Sequence, residues 1–219
     1  MNETTQKGLA ELIGTFLLTF IGGAAIINGQ ADLLGVALAH GLTVALVISA
    51  FGHISGAHIN PAVTVGFLIT RRMEMKEGAI YIIAQMSGAV LASVMLKQFV
   101  PGAMGAFLGG QSVATEVSTT DAVVIEALLT FFLVTAIFGT AVDKRGTFKA
   151  IAGFGIGLVV TADILAGGPF TGASMNPARS FGPALVSGQW GDQIVYWVGP
   201  LFGGAVAAFL YNSLLMEKQ

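Results

Sequence analysis

The sequence predicts an all-α membrane protein with six transmembrane helices and two re-entrant half-helices, and three observations predict it. First, 54% of the 219 residues are hydrophobic and only 10% are charged, whereas soluble domains carry about 25% charged residues. Second, six apolar runs are long enough to cross the hydrocarbon core of a bilayer, which is about 30 Å thick. Third, the tripeptide Asn-Pro-Ala occurs twice, at 60–62 and at 176–178, each time just before a short apolar run.

The six long apolar runs are assigned as transmembrane helices, because open strands cannot satisfy their backbone groups in lipid. Each run approaches the length of about 20 residues that a spanning helix needs. The first run follows a polar start without a cleavage site, so we expect it to belong to the mature protein. The six runs cover about residues 9–29, 33–51, 78–98, 121–141, 149–167 and 193–215.

Two further apolar pieces, 61–70 and 177–186, are too short to span the membrane. Ten residues at about 1.5 Å each reach about 15 Å, which is half of the hydrocarbon thickness. We therefore expect each piece to dip into the membrane as a half-helix and to return. The Asn-Pro-Ala motifs supply the starts of these half-helices, since Pro suits the first helical position and Asn suits the cap before it. The motif residues are Asn60, Pro61, Ala62, Asn176, Pro177 and Ala178.

Matched residues recur at an offset of 115 or 116 along nearly the whole chain. Glu11 matches Glu126 in similar surroundings, and the first Asn-Pro-Ala matches the second. We interpret 1–219 as one channel domain built from two repeats, about 1–110 and 115–219. Each repeat holds three spans, an odd number, so the second repeat is inverted in the membrane. Inverted repeats with broken helices place a solute path at the membrane midplane.

The two half-helix starts are expected to meet in one lumen near the membrane centre. Each helix N-terminus carries roughly half a positive charge, so two of them repel cations and protons. With their carbonyls held by the caps, Asn60 and Asn176 can turn their amide N–H groups into the pore. Carbonyls of two irregular stretches, 52–59 and 168–175, can supply acceptors along the path. This arrangement predicts a pore that passes water while it breaks a proton wire.

Basic residues predict the orientation of the six spans. Eight of the ten Lys and Arg residues fall on one side, which the positive-inside rule makes cytoplasmic, together with both termini. These eight residues are Lys7, Arg71, Arg72, Lys76, Lys144, Arg145, Lys149 and Lys218. Arg179 is different, because it lies inside the second half-helix, and a charge at that depth is a functional candidate.

The paired motifs and the stretch at 163–185, with Tyr-Trp-Val-Gly-Pro-Leu at 196–201, resemble the aquaporin or major intrinsic protein family. The resemblance extends along the full chain and is closest to the plant tonoplast intrinsic proteins, with a prokaryotic homologue as an alternative origin. It implies a right-handed bundle, a passive water channel and a homotetramer with one pore per subunit. It implies no cofactor. The short termini favour a prokaryotic inner (plasma) membrane, and the vacuolar membrane is the alternative.

The positions that form the selectivity filter in the family can be located in this chain by their spacing from the two motif Asn residues. By the resemblance, the filter consists of His40, Ile164, Ala173 and Arg179. Ile and Ala take less room than the aromatic and His residues of narrow water channels. The part of the pore lined by these four residues is here called the neck. It is therefore expected to be wider and less polar, and to admit ammonia, hydrogen peroxide or urea beside water.

Residues around the filter refine this expectation. Three features argue against a glycerol facilitator: Ser180, Ala184 and the Tyr196-Trp197 pair. Gln111 is a candidate pore or vestibule residue, since by the resemblance it stands where some ammonia-permeable members have a His that helps to line the filter. A neutral amide does not titrate near neutral pH as His does, which counts against efficient ammonia conduction.

Four other polar residues have competing interpretations. His58 is expected at the cytoplasmic vestibule, with pH gating as an alternative to loop bracing. Glu11 and Glu126 are expected to accept backbone N–H bonds from the irregular loop of their own repeat, with a proton relay as the alternative. Asp163 is expected to face a polar pocket or the headgroups, or else to offset Arg179. Three His without a nearby carboxylate or Cys make a poor metal site.

The leading hypothesis is a passive water channel that excludes protons and ions and also passes small neutral solutes. A channel mainly for ammonia or another small solute is one alternative, and a secondary transporter is another, since inverted repeats also suit alternating access. An adhesive membrane protein would need long or sticky loops. The sequence carries no enzyme motif and no basic footprint for nucleic acid.

Overall fold

The computed structural model describes residues 1–146 and 151–217, and within them every regular element is helical. Within the described residues there are also three short turns of other helical types. One is a 3₁₀ turn at Phe107–Gly109, and two are π turns, Phe138–Val142 and Tyr211–Leu215, which continue the α-helices before them. The α-helices are α1 (Glu3–Ile27), α2 (Leu33–Ser55), α3 (Pro61–Ile69), α4 (Met75–Phe99), α5 (Thr119–Ile137), α6 (Ala152–Thr171), α7 (Pro177–Ser187) and α8 (Gln193–Leu210).

Six of these helices are long and apolar enough to cross a membrane, and they correspond one to one with the six predicted spans. The all-α membrane fold is therefore confirmed. The predicted ends differ by several residues, since α1 begins six residues earlier than expected and α6 ends four residues later. Polar side chains extend α1: Asn2 caps it by accepting the Thr5 backbone N–H at 2.9 Å, a local signal that hydropathy does not report.

Glycines bring the long helices together at matched crossings. Gly41 of α2 and Gly157 of α6 each face the backbone carbonyl of the other, so neither position has room for a side chain. Gly88 of α4 meets the Leu12 carbonyl of α1, and Gly203 of α8 meets the Ala127 carbonyl of α5 in the same way. Small residues allow such close backbone approach between helices in a membrane. The bundle therefore packs as the pairs α1/α4, α5/α8 and α2/α6.

The two short helices follow two irregular stretches that are shorter than predicted. We expected irregular backbone over 52–59 and 168–175, but α2 continues to Ser55 and α6 continues to Thr171. Each helix ends on a glycine in the left-handed region, Gly56 and Gly172, a conformation that costs glycine little. The irregular stretches are therefore 56–60 and 172–176. A proline at 169 does not end α6.

Basic residues gather at one end of the bundle, here called the basic end. Lys7 pairs with Glu77 at 2.9 Å, and the Arg72 Nε donates to Asn212 at 2.9 Å. Arg145 donates to the backbone carbonyl of Leu215. Two of the eight residues used to predict orientation lie outside the described residues, namely Lys149 and Lys218.

Candidate functional site

A narrow lumen runs between the long helices and past both half-helix starts, with about 40 Å³ of space for water-sized molecules. Aliphatic side chains of α1, α2, α5 and α6 form one wall, including Leu18, Val44, Leu133 and Val160. The rest of the lining is partly polar. Its polar side chains are His40, His58, Asn60, Ser174, Asn176 and Arg179.

Both motif asparagines belong to this polar part of the lining, where α3 and α7 meet start to start. The Asn60 Oδ1 accepts the Ala62 N–H at 2.8 Å, and the Asn176 Oδ1 accepts the Ala178 N–H at 3.0 Å. These bonds cap the first turn of each half-helix. Asn176 also accepts from the backbone of Arg179 at 3.3 Å, so the second cap satisfies one more N–H than the first.

The amide nitrogens correct one prediction. We expected both N–H groups of each Asn to face the pore. Instead, the Asn60 Nδ2 donates to the Met175 carbonyl at 2.7 Å, and the Asn176 Nδ2 donates to the Ile59 carbonyl at 2.8 Å. An amide nitrogen carries two N–H donors. One donor of each Asn therefore links the two half-helix starts, and the other remains for the lumen.

Buried carboxylates hold the irregular stretches in place. Glu11 accepts the backbone N–H groups of His58 at 2.9 Å and Ile59 at 2.6 Å. Glu126 does the same for Ser174 at 2.8 Å and Met175 at 2.7 Å. Both carboxylates are fully buried.

The two carboxylates, Glu11 and Glu126, are here called the braces. They hold the irregular stretches in a backbone conformation that non-glycine residues rarely adopt. The positive φ residues are Ala57 (48°), Ile59 (45°), Ala173 (47°) and Met175 (54°). Such conformations persist only where the surrounding structure determines them. The alternation of φ sign turns successive backbone groups in opposite directions, so some face the carboxylate and others face away from it.

The four residues predicted as the filter come together at one end of the lumen. The Arg179 Nη2 donates to the His40 Nε2 at 2.6 Å, across 139 residues of sequence. The His40 Nδ1 lies 2.8 Å from the Val36 carbonyl. A carbonyl accepts only from a protonated nitrogen, so Nδ1 carries the hydrogen and Nε2 accepts from the arginine. His40 is therefore neutral and has no nitrogen left for a solute, while the Arg179 Nη1 has no protein partner among the described residues.

At the other end the lumen opens into a mouth of about 430 Å³. His58 lies at the boundary and lines both spaces. Its Nδ1 is 3.2 Å from the Thr64 hydroxyl, and its ring packs on Phe67 with centroids 4.3 Å apart. His53 also lines the mouth, and it belongs to α2 rather than to the loop in which we expected it.

Gln111 lies beside the lumen and is not one of its lining side chains, which corrects its predicted position. Its Oε1 accepts from the Ser180 hydroxyl at 2.6 Å, and Ser180 is in turn 2.5 Å from the Ser174 hydroxyl. The side chain also packs against Gly172. Gln111 therefore supports the second irregular stretch from behind.

Asp163 is only 3% exposed, so the expectation that it faces the headgroups is wrong. Its Oδ2 has no hydrogen-bond partner within the described ranges. Over residues 1–146 and 151–217, no group of three or more His, Cys, Asp or Glu is placed to hold a metal ion.

Three contributors to the braces were missed by sequence reasoning. The Gln85 Nε2 donates to Glu11 at 2.7 Å and to the Thr64 hydroxyl at 3.0 Å. The Tyr81 hydroxyl donates to the Ser55 carbonyl at 2.8 Å, and the Tyr196 hydroxyl donates to the Thr171 carbonyl at 2.9 Å. The two tyrosines share the 115-residue offset of the repeat, and that offset was the signal that could have identified them.

Comparison with known proteins agrees with this geometry. Residues 1–211 match the family described as "MIP: Major intrinsic protein". The chain is 47% identical to Aquaporin TIP4-4 of Zea mays, with 96% of this chain and 86% of the relative covered. It is 42% identical to the Probable aquaporin TIP3-2 of Arabidopsis thaliana, with 99% and 86% covered.

A solved structure has the same fold. The aquaglyceroporin from Plasmodium falciparum superposes with a TM-score of 0.85 and 25% identity, covering 97% of each chain. The chain belongs to the major intrinsic protein, or aquaporin, family. It is an integral multi-pass membrane protein and a passive channel for water and small solutes, not an enzyme.

Proposed function

We propose that water is the main solute of this channel and that protons and ions are excluded. The observation that carries this proposal is the reciprocal bonding of Asn60 and Asn176 across the lumen centre. It leaves one N–H of each amide for a passing water, which accepts both bonds at its oxygen. That water then has no lone pair free for a neighbouring water, so a chain of proton-conducting hydrogen bonds is interrupted.

Two half-helix starts reinforce this exclusion. The N-termini of α3 and α7 both point at the lumen centre, and each carries roughly half a positive charge. A hydronium or metal cation therefore meets a repulsive potential where water meets only donors. Arg179 adds a full charge at the neck, where its side chain is buried.

The neck supports small neutral solutes that accept hydrogen bonds. His40 is committed to Arg179 and Val36, so Arg179 is the donor side chain that remains at the neck, and the side chains of Ile164 and Ala173 are apolar. Water, hydrogen peroxide and urea each present an oxygen acceptor to such a donor, and ammonia presents a lone pair. We propose these four as permeants, with water first. A channel mainly for ammonia is the alternative.

An alternating-access transporter is less well supported. Coupling to an ion would need a carboxylate in the lumen, yet Glu11 and Glu126 are both occupied by backbone N–H groups of their own half. Neither is among the residues that line the lumen. The matched braces instead support two inverted repeats, 1–110 and 115–219, acting as one fixed pore.

Stopped-flow light scattering on proteoliposomes tests the water-channel proposal. Under a sucrose gradient, we expect the wild-type protein to shrink vesicles much faster than empty liposomes do, with a shallow temperature dependence. The rate should neither saturate nor depend on an ion gradient. Shrinkage at the rate of empty liposomes, from protein that is folded and monodisperse, would contradict the proposal.

The same vesicles rank the other solutes. Urea and ammonia uptake by the wild type is compared with uptake by His40→Ala, which widens the neck and releases the arginine. We expect the variant to gain more in urea permeability than in water permeability. If wild-type vesicles pass ammonia but not water, the alternative replaces the main proposal.

Assembly and orientation are further proposals. We propose a homotetramer with one pore per subunit, which native mass spectrometry would detect at four times the chain mass of 22.5 kDa. We also propose that the basic end and both termini face the cytoplasm. Since the chain has no Cys, Lys97→Cys and Lys144→Cys variants labelled with an impermeant maleimide from each side test this directly.

We propose the vacuolar membrane as the host membrane of this channel. Identity to TIP-type channels of Zea mays and Arabidopsis thaliana supports the vacuolar membrane over the prokaryotic inner membrane. A fluorescent fusion expressed in plant cells should label the vacuolar boundary, and plasma-membrane fluorescence alone would overturn this assignment.

A further inference from the structure

A second cavity, of about 490 Å³, lies at the basic end and takes no part in the lumen. Three chain segments meet around it: the loop after α3, the segment after the π turn that extends α5, and the turn after α8. Each segment contributes polar groups to the wall. Arg72, Lys144 and Arg145 are its cationic side chains, and none of them lines the lumen.

The charge of Arg145 is already compensated. Its Nε and Nη2 donate to the two oxygens of Asp143 at 3.1 and 2.6 Å. The Arg145 guanidinium holds the pKa of Asp143 well below its usual range. Asp143 therefore stays ionised near neutral pH, and the pair forms a fixed wall of the cavity.

Arg72 is held in place by neutral partners only. Its Nε donates to the Asn212 Oδ1 at 2.9 Å, and its Nη2 contacts the Met216 sulfur at 2.6 Å. A thioether is a weak acceptor, so most of the donor capacity of the guanidinium remains unused.

Three cationic and two acidic side chains line this cavity, which leaves an excess of one positive charge. Among the described residues, neither Arg72 nor Lys144 forms an ion pair. Glu217, the other carboxylate on the wall, is not paired with either of them within that part of the chain. The cavity thus presents one oriented guanidinium and one exposed ammonium to a ligand.

This combination suits a phosphate group. A guanidinium presents parallel N–H donors that match two phosphate oxygens, and a lysine adds a point charge. Basic pockets near membrane-spanning helices bind the phosphate headgroups of anionic lipids for this reason. We propose that the cavity binds a phosphate group, from an anionic lipid headgroup or as free phosphate, with Arg72 and Lys144 as ligands and Asn212 positioning Arg72.

The test uses the full-length channel, with binding measured for two probes. Native mass spectrometry compares dioleoyl phosphatidic acid with dioleoyl phosphatidylcholine, and equilibrium dialysis measures inorganic phosphate alone. The variants are Arg72→Gln, Lys144→Gln and the double variant. Lys97→Gln is the matched control, because Lys97 is an exposed lysine at the far end of α4.

We expect each single variant to weaken binding about fivefold and the double variant about 25-fold, the change that one or two juxtamembrane cations are worth. Lys97→Gln should bind as the wild type does. Asn212→Ala should also weaken binding although it removes no charge, because Arg72 loses its positioning bond. Water permeability should stay unchanged in all five variants, which confirms that they fold.

Each outcome decides the proposal. Tighter binding of phosphatidic acid than of phosphatidylcholine, lost in the double variant, identifies a lipid headgroup, and binding of inorganic phosphate alone identifies free phosphate. Equal losses in Lys97→Gln, or wild-type affinity in Asn212→Ala, would mean that only general surface charge attracts anions, and would overturn it. If neither phosphatidic acid nor inorganic phosphate binds, the proposal is overturned as well.

Discussion

In the first half of the chain (1–110) Glu11 accepts hydrogen bonds from four groups, whereas in the second half (115–219) Glu126 accepts from three. Both carboxylates bind one hydroxyl and two backbone N–H groups, through Ser55 in the first half and Thr171 in the second. The additional donor in the first half is Gln85. Its counterpart at the 115-residue offset is a proline, which has no side-chain donor. The shared bonds hold the backbone, so they recur in both halves.

Two matched positions that differ between the halves line the lumen. After Asn-Pro-Ala the first half continues with Val63 and the second with Arg179. Before the motif, the first half has His58 at the mouth and the second has Ser174 in a hydroxyl network. One backbone device, built twice, thus carries a charged neck on one side and a wide mouth on the other. We propose that the identities between halves position the pore and that the differences set its selectivity.

Removing the braces should have the largest effect. Glu11→Ala and Glu126→Ala each leave two buried backbone N–H groups unpaired, and each orphaned donor costs about 1–3 kcal/mol. We expect losses of about 2–6 kcal/mol in unfolding free energy, larger for Glu11 because Gln85 also loses its acceptor. Denaturant unfolding in detergent measures this. Thr130→Val, on the same helix as Glu126, is the control. Near-wild-type stability of either alanine variant would show that the irregular stretch keeps its conformation without the carboxylate.

A second substitution makes the two halves alike at the neck. Arg179→Val places the first-half residue in the second half, and it removes both the charge and the donor to His40. Val is smaller than Arg, so the neck widens and the barrier to urea should fall more than the barrier to water. A relative change of about 1.5–3 kcal/mol would raise the ratio of urea to water permeability about 10- to 100-fold. Val63→Ala is the control on the other side. An unchanged ratio in stopped-flow measurements would exclude the arginine from selectivity.

The two asparagine caps should differ in a smaller way. Replacing an N-cap residue by Ala costs about 1 kcal/mol, with a range of about 0.5–2. Asn176 caps two N–H groups and Asn60 caps one, so Asn176→Ala should destabilise more than Asn60→Ala. Thermal unfolding of the two variants in the same detergent tests the order. The reverse order would mean that the bonds across the lumen outweigh the caps.

The smallest expected effect concerns the loops after α1 and α5. The Asn28 side chain accepts the Gln30 N–H at 3.0 Å, and at the matched place Asp143 accepts the Arg145 N–H at 2.9 Å. Asp143→Asn makes the second loop resemble the first. The folded pKa of Asp143 is lowered by Arg145, so its contribution is complete above the ordinary Asp pKa of about 4 and is lost as pH falls toward the lowered value.

Thermal unfolding at several pH values checks this last prediction. The variant should be slightly less stable than the wild type at pH 7, by less than Asn60→Ala, and the difference should shrink below about pH 4. Asn28→Ala serves as the control, since it carries no charge and should show a difference that is independent of pH. A constant difference for Asp143→Asn would mean that the charge contributes nothing.

Much of the fold could be predicted because its signals are local. Six helices follow from the length and apolarity of each run against the thickness of a bilayer, and the two half-helices follow from Asn before Pro. Helix ends were less predictable. The expected break at 52–55 and 168–171 did not occur, since backbone hydrogen bonding continued until a glycine could adopt positive φ.

The candidate site was predictable in its members and less so in its bonds. Residues such as His40 and Arg179 were named from spacing, yet their bond joins atoms 139 residues apart. Gln111 was expected in the lumen, but the Ser180 hydroxyl holds its carbonyl behind the wall. Gln85 was missed as a partner of Glu11, because nothing in its surrounding sequence indicates that Glu11 lies opposite.

The sequence by itself determined the number of spans and the two half-helices, because each depends on composition and length within a short segment. The repeat was inferred from a constant offset, and the filter residues were assigned by resemblance to the family. Only the tertiary structure decided how the asparagine amides divide their N–H groups and which nitrogen of His40 carries the hydrogen. The partner of Asn60 is a carbonyl 115 residues away. A hydrogen bond needs an atom within about 3 Å in a defined direction, and only the folded chain brings such atoms together.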